Sequence, residues 1–430
     1  MRLRNTCRGP MLAASLALLW GVPSLQTSAQ QAPVTAPGQP SANAPAPGRG
    51  RGAPAIVSPE IGADRRVTLR IYAPLASAVS VRGDVDGSLV PDPNAVPATA
   101  AATNPAAPSA VSQIPGFGRG GPPAVVMSKG DNGVWSGTTI RAVKPGAWRY
   151  NFNIDGTTVV DANNVDVSPS QTQVQSLLVV PGDFSETRNV PHGTVGLVRY
   201  FSKALGGVQR EMYVYTPPGY EKGGGKYPVL YLIHGGGDTA ISWSTVGRAN
   251  NILDNLLADK KAVPMIIVMP SGWTPAGGQV MTSDATKDPF NAEMLQDIIP
   301  YIEANYRTMG TSEGRALSGL SMGGIQTLNI GLENLGEFRY VAVMSSGWIS
   351  DDDRNWFYQH EAAQIPKYNS SLKLFWWGWG QTDIARQNGL KVIGELQKDG
   401  VKIETYESPG GHEWPNWRLY LYLVAPKLFR

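Results

Sequence analysis

Two kinds of hydrophobic patterning divide the chain. Between about residues 56 and 181, apolar and polar positions alternate: Val67, Leu69 and Ile71 with Thr68 and Arg70, then Trp148, Tyr150, Phe152 and Ile154 with Arg149, Asn151 and Asn153. Period two with one apolar face predicts half-buried strands. Turn signals such as Asp131-Asn132-Gly133 and Lys144-Pro145-Gly146 separate the runs. Several such strands predict a small all-β sandwich over residues 57–182. An Ala, Pro and Gly stretch at about 88–123 is expected to be a disordered insertion between strands. From about Val190 the pattern changes. Residues 229–233, 265–269, 340–344 and 374–377 are nearly continuous apolar runs, which suit strands buried on both faces. Helical periods lie between them, around 252–257, 294–306 and 384–396. This order predicts an α/β domain with a doubly wound sheet over 190–430. The chain shows no internal repeat.

Composition changes the picture mainly at the front. Arg2, Arg4 and Arg8 precede a short apolar run, Met11 to Trp20, and Thr27-Ser28-Ala29 follow with small side chains. That three-part pattern predicts a secretory signal over residues 1–29, cleaved near Ala29, and hence a secreted or periplasmic protein. The run is too short for a permanent bilayer anchor, so no membrane association is expected after cleavage. Residues 30–56 are rich in Ala, Pro, Gly and Gln and predict a flexible linker. Cleavage would remove three arginines and no acid, leaving 34 Lys and Arg against 34 Asp and Glu, so the formal +3 of the whole chain falls to zero. Nothing in that balance points to nucleic acid. The single cysteine, Cys7, leaves with the signal, which excludes a disulfide, a thiolate metal site and a cysteine nucleophile from the mature chain.

The chemistry concentrates in four segments. Gly319-Leu320-Ser321-Met322-Gly323 fits G-x-S-x-G after a short strand and before a helix. Such a turn lifts the serine hydroxyl to the top of the sheet, and the helix N-terminus directs N–H groups at a developing oxyanion. His234-Gly235-Gly236-Gly237 follows the first buried strand and resembles the glycine loop that supplies half an oxyanion hole. Gly236 and Met322 are the expected donors, although Gly235 or Gly237 would serve the same geometry; His234 is expected to brace the loop. The base must be one of four histidines. The chain order serine, acid, histidine leaves His360 and His412, and His412 follows a late strand, where a sheet of this kind presents functional groups. Asp383, on the loop after the 374–377 strand, is the expected acid, orienting the imidazole and stabilising its cation. A helix N-cap for the run from Ile384 is the competing reading of Asp383, and Asp351, Asp352, Asp353 and Glu407 are harder to place as the acid.

Together, Gly319 to Gly324, His234-Gly235-Gly236 and Gly410-Gly411-His412-Glu413-Trp414 resemble the esterase-D-like hydrolases. These include feruloyl and acetylxylan esterases of the carbohydrate esterase family 1 type, enterochelin esterases and mycolyltransferases. The resemblance covers about Val190 to Arg430. It implies an α/β-hydrolase fold and a serine triad of Ser321, His412 and Asp383 that needs no metal and no cofactor. The front segment, with Ala73-Pro74, 79–83, 131–135 and Asp155-Gly156, resembles the early-set immunoglobulin-like module found ahead of such esterases. That module is related to carbohydrate-binding modules; here a glycan-binding role and a packing or spacer role both remain open.

The expected activity is therefore serine carboxylic ester hydrolysis on feruloyl or acetyl esters of plant polysaccharide such as xylan. The alternatives are an esterase acting on a siderophore or other small ester, and a non-catalytic carbohydrate-binding protein. Trp243, Trp348 and Trp414, with Trp273 and Trp417, are candidate ring surfaces for a phenolic or sugar group, or else core residues. The acyl group and the oligomeric state have no sequence signature.

Overall fold

The front of the chain folds as two antiparallel sheets. The computed structural model describes residues 54–84, 125–275 and 282–430; the expected signal, most of the linker and the 88–123 insertion lie outside them. The strands are β1 (Glu60–Ile61), β2 (Val67–Tyr72), β3 (Val79–Gly83), β4 (Ser128–Lys129), β5 (Val134–Thr138), β6 (Gly146–Ile154), β7 (Thr157–Val159), β8 (Val167–Pro169) and β9 (Val174–Val180). One sheet runs β1-β2-β5-β4; the other runs β3-β6-β9-β8, with β7 pairing β6. Val67, Leu69 and Ile71 from the first sheet share one core with Val81, Trp148, Tyr150, Phe152 and Leu178 from the second. A sandwich results, as the alternation predicted.

The polar half of one alternation behaves differently. On β6 the side chains of Arg149 and Asn151 are buried, not solvated. The reason is tertiary: Ala147 and Leu177 belong to the core of the second layer system, so this sheet's outer face is covered by the rest of the chain.

The second part is an eight-stranded sheet made of β10 (Thr194–Ser202), β11 (Val208–Thr216), β12 (Val229–Ile233), β13 (Ile266–Pro270), β14 (Arg315–Leu320), β15 (Tyr340–Met344), β16 (Leu374–Gly380) and β17 (Glu404–Ser408). Its order is β10-β11-β13-β12-β14-β15-β16-β17. The six strands from β12 onward are mutually parallel, whereas β10 and β11 form a nine-residue antiparallel hairpin that pairs antiparallel to β13. The sheet is thus mixed rather than wholly parallel. The edge strand β10 is largely exposed or half-buried, so it carries no apolar run to announce it.

Both faces of the sheet are covered, which is why its central strands read as unbroken apolar runs. On β12, Val229, Tyr231 and Ile233 face one core, and Leu230 and Leu232 the other. Helices α2 (Met322–Glu333), α3 (Asp351–Glu361) and α4 (Arg386–Lys398) contribute to the first core; α1 (Ala249–Ala258) and α5 (Trp414–Val424) contribute to the second. The helix expected at 294–306 is a run from Pro289 to Asn305 whose Met294–Ile298 turn is π-wound. Pro300, just beyond that turn, has no N–H to continue the regular ladder. Among the described residues, no helix is long and apolar enough to cross a membrane.

Candidate active site

The loops that follow β12, β14, β15, β16 and β17 meet at the carboxyl edge of the sheet. Ser321 joins β14 directly to α2, with φ 52° and ψ −116°. That backbone is strained for a residue with a side chain. It is held by the Ser321 N–H donating to Met344 O at 2.9 Å and by Ser346 Oγ donating to Ser321 O at 2.7 Å. The flanking glycines follow from space. A Cβ on Gly319 would lie 2.2 Å from Gly323 O, and one on Gly323 would lie 2.6 Å from His234 O.

The structure brings Ser321, His412 and Asp383 into one line. His412 Nε2 is 2.9 Å from Ser321 Oγ, and His412 Nδ1 is 2.8 Å from Asp383 Oδ1. A carboxylate only accepts, so Nδ1 carries the proton and Nε2 is left as the acceptor for the serine hydroxyl. The imidazole is 9% exposed and the carboxylate fully buried. Burial by itself would raise the Asp383 carboxyl. The hydrogen bond and charge of His412, with help from Ser345 and the Ala385 N–H, outweigh it and hold Asp383 below the usual carboxylate range. The helix-cap reading of Asp383 does not hold, since α4 begins at Arg386 with Ala385 as its N-cap and no side-chain cap bond; instead Oδ1 also accepts the Ala385 N–H at 2.8 Å in an Asx turn ahead of the helix. One oxygen serves both partners.

The histidine loop is tied down from several sides. Thr382 N–H donates to Gly410 O at 2.9 Å, and Asn416 Nδ2 donates to Gly411 O at 2.9 Å. The Trp417 ring meets His412 edge-on, centroids 5.1 Å apart.

The glycine loop crosses beside the serine. A Cβ on Gly235 would come within 3.3 Å of Ser321 Cβ. Asp238 N–H donates to Gly235 O at 3.1 Å, closing a turn over Gly236 and Gly237 whose own bond uses neither central N–H. Met322 is the first residue of α2, where an N–H has no acceptor within the helix. The arrangement leaves Gly236 and Met322 as candidate donors. His234 braces the loop as expected. Its Nε2 accepts the Gly272 N–H at 3.1 Å, so Nδ1 carries the proton and donates to Gly235 O at 2.8 Å. Complete burial pushes this imidazole's pKa down and keeps the ring neutral.

The rejected candidates have other occupations. His360 ends α3 on the surface, stacked on Trp356 and bonded to its carbonyl. Asp351 pairs with Arg354, Asp353 forms a capping box with Ser350, and Glu407 holds Trp379 Nε1 and Arg386.

The expectation for Trp243, Trp348 and Trp414 as substrate surfaces is corrected. Trp243 and Trp348 are 0% exposed, and Trp414 is 6% exposed. The Trp243 indole N–H donates to Ile233 O and that of Trp348 to Asn329 Oδ1, while Trp414 packs edge-on against Trp243 and Trp417. Trp273 differs: it is half-buried, and its N–H donates to Asp238 O beside the glycine loop. Residues outside the initial reading also shape the site, namely Ser345, Ser346, Asn416 and Arg149. Ser345-Ser346-Gly347 directly after an apolar strand was the one local signal for any of them.

The profile of the Esterase family matches residues 202–427. A xylanase/feruloyl esterase of Xylanibacter ruminicola is 33% identical over 333 residues, which is 75% of this chain and 44% of that protein. An esterase of Mycobacterium tuberculosis is 39% identical over 127 residues, 29% of this chain and 26% of that one. The chain thus spans less than half the length of these relatives. The crystal structure of an enterobactin esterase from Shigella flexneri superposes with a TM-score of 0.53 at 15% identity, covering 85% of this chain and 93% of that one. That likeness concerns the fold.

Proposed function

The chain belongs to the Esterase family, and from that premise we propose that it is a serine carboxylic ester hydrolase acting on feruloyl or acetyl esters of plant polysaccharide such as xylan. The observation that carries the chemistry is the Ser321–His412–Asp383 line with its 2.9 and 2.8 Å contacts. His412 Nε2 takes the hydroxyl proton as Ser321 Oγ attacks the ester carbonyl. Asp383 stabilises the imidazolium that forms. The N–H groups of Gly236 and Met322 receive the carbonyl oxygen as it becomes an oxyanion. His412 then protonates the leaving alcohol, and water, activated by the same ring, releases the acid and restores the serine. None of these steps requires a metal or a cofactor.

The polysaccharide part of the reading rests on the Xylanibacter relative, which is a xylanase/feruloyl esterase. Export through a leader over residues 1–29 belongs to the same proposal, as does an early-set immunoglobulin-like identity for the front sandwich. Purified protein assayed on methyl ferulate, acetylated xylan and a catecholate trilactone tests it. Turnover of the first or second, abolished in Ser321→Ala, is the expected result. Preference for the trilactone would move the substrate to the siderophore class, and undiminished hydrolysis by Ser321→Ala would overturn the mechanism.

A further inference from the structure

Arg149 stands on the face of β6 that its alternating pattern assigns to solvent, yet its side chain is 8% exposed. Nη1 donates to Asp238 Oδ1 at 2.7 Å, Nη2 to Ser242 Oγ at 2.9 Å and to Pro169 O at 3.2 Å, and Nε to Ser168 Oγ at 3.0 Å. Asp238, itself 6% exposed at the side chain, closes the glycine turn through its N–H to Gly235 O. A buried guanidinium persists only where it is paired and its remaining N–H groups are satisfied. Here three of those partners, Asp238, Ser242 and Pro169, lie on or against the segment that follows the glycine loop. Two more bonds cross the same seam: Gln171 N–H to Gly237 O at 3.0 Å, and Ser168 Oγ with Thr245 Oγ1 at 2.8 Å.

The glycine loop has little stiffness of its own, since three successive glycines restrict φ and ψ least of all. Its N-terminal side is held by His234. Its C-terminal side is held at Asp238, by the Trp273 indole N–H on its carbonyl and by Arg149 on its carboxylate. The Arg149 fork is planar and fixed in direction, so it sets position as well as charge.

We propose that Arg149, supplied by the front sandwich, is a positioning residue for the oxyanion hole: by fixing Asp238 it sets where the Gly236 N–H lies relative to Ser321. The sandwich is then part of the catalytic apparatus, independently of any glycan it binds. The inference rests on the hydrolase reading above and adds to it a requirement for one side chain that touches no substrate.

The test uses the full chain and p-nitrophenyl acetate, a substrate too small to need contacts from the sandwich. A displaced oxyanion donor lowers the rate of the acyl step without weakening ground-state binding. Arg149→Met is expected to lower kcat about 30-fold with KM within about twofold, and Arg149→Lys, which keeps the charge but not the fork, about fivefold. Affinity for a trifluoromethyl ketone, whose adduct with Ser321 puts an oxyanion in the hole, should fall by the same factor as kcat/KM. A merely structural role would not move those two quantities together. Circular dichroism and thermal unfolding on the same samples establish folding. If Arg149→Met does not fold, Arg149→Lys decides. A folded Arg149→Lys with wild-type kcat and ketone affinity overturns the proposal; so does a loss confined to KM, and so does a failure of Arg149→Lys to fold. If the unaltered protein hydrolyses no ester, the hydrolase reading fails, and this inference with it.

Discussion

Replacing Asp383 by asparagine separates two roles that a triad carboxylate combines. In a serine triad, an amide at this position usually inverts the imidazole: its NH2 group faces Nδ1, the proton moves to Nε2, and the base is lost, at a cost of about 10⁴ in kcat. The local structure here opposes that inversion. Asp383 Oδ1 accepts both the His412 Nδ1–H and the Ala385 N–H, each at 2.8 Å. An NH2 group at that point would confront the backbone donor of Ala385, so the amide oxygen is held there and the productive tautomer survives. What disappears is the negative charge. Opposite charges about 4 Å apart at an effective dielectric near 20 attract by about 4 kcal/mol. A neutral acceptor restores about 1 kcal/mol of that. The net loss of about 3 kcal/mol in the transition state corresponds to a fall on the order of 10² in kcat. Steady-state kinetics on p-nitrophenyl acetate give the factor, and ¹⁵N shifts of the imidazole report the tautomer directly. A 10⁴-fold fall accompanied by an Nε2–H signal would refute the argument that Ala385 pins the oxygen.

Three further outcomes follow from the same structure. Gly323→Ala puts a methyl group 2.6 Å from His234 O and 2.8 Å from Ile233 O; it should cost about 2 kcal/mol in denaturant unfolding and lower kcat at least tenfold, because the same shift moves Ser321. Trp243→Phe and Trp348→Phe each remove a buried indole bond, to Ile233 O and Asn329 Oδ1; each should lose about 1–2 kcal/mol of stability while KM for methyl ferulate stays within about twofold, and a specific rise in KM would restore these rings to the substrate site. Burial first, then Glu361 and Asp284, push the Glu333 carboxyl up from 4.5 to about 7. The folded state therefore holds the extra proton between those values, so stability falls as pH rises through that window. Solvent screening of this half-buried group reduces the effect to about 1 kcal/mol. Glu333→Gln should accordingly be more stable than the parent by about that amount at pH 8 and equal to it at pH 4.5; a gain of the same size at both pH values would show that the carboxyl's titration is not responsible.

The residues legible in the sequence are those whose role is set by near neighbours along the chain. Ser321, Asp383 and His412 each lie within a few residues of a strand end, Ser321 between Gly319 and Gly323, Asp383 after Gly378 and Gly380, and His412 after Gly410 and Gly411. Strand, turn chemistry and candidate catalytic side chain are encoded within about ten residues, so local reasoning reaches them. The tryptophans failed for the complementary reason. An indole in a loop after a strand reads the same whether it lines a pocket or plugs the core, and burial tells the two apart: Trp243 and Trp348 are 0% exposed, with their N–H groups on Ile233 O and Asn329 Oδ1. The edge strand β10 has an inward face at Val198, Tyr200 and Ser202, but its exposed face also carries the apolar Leu197 and Phe201, so no apolar–polar alternation announces it. Arg149 is the most instructive case. Alternation reports which residues one face of a sheet buries, and it assigns the other face to water by default. On β6 that default is wrong at Arg149 and Asn151, which are 6% and 3% exposed. A polar residue at an outward position is therefore compatible with two environments, and the sequence distinguishes them only when read across both domains. Asp238, Ser242 and Thr245 form a polar run just after a glycine loop, and Arg149 and Ser168 lie on neighbouring polar positions of the sandwich. Such matched polar sets facing each other from two domains are the pattern of a buried seam, and here the seam ends on the turn that borders the nucleophile.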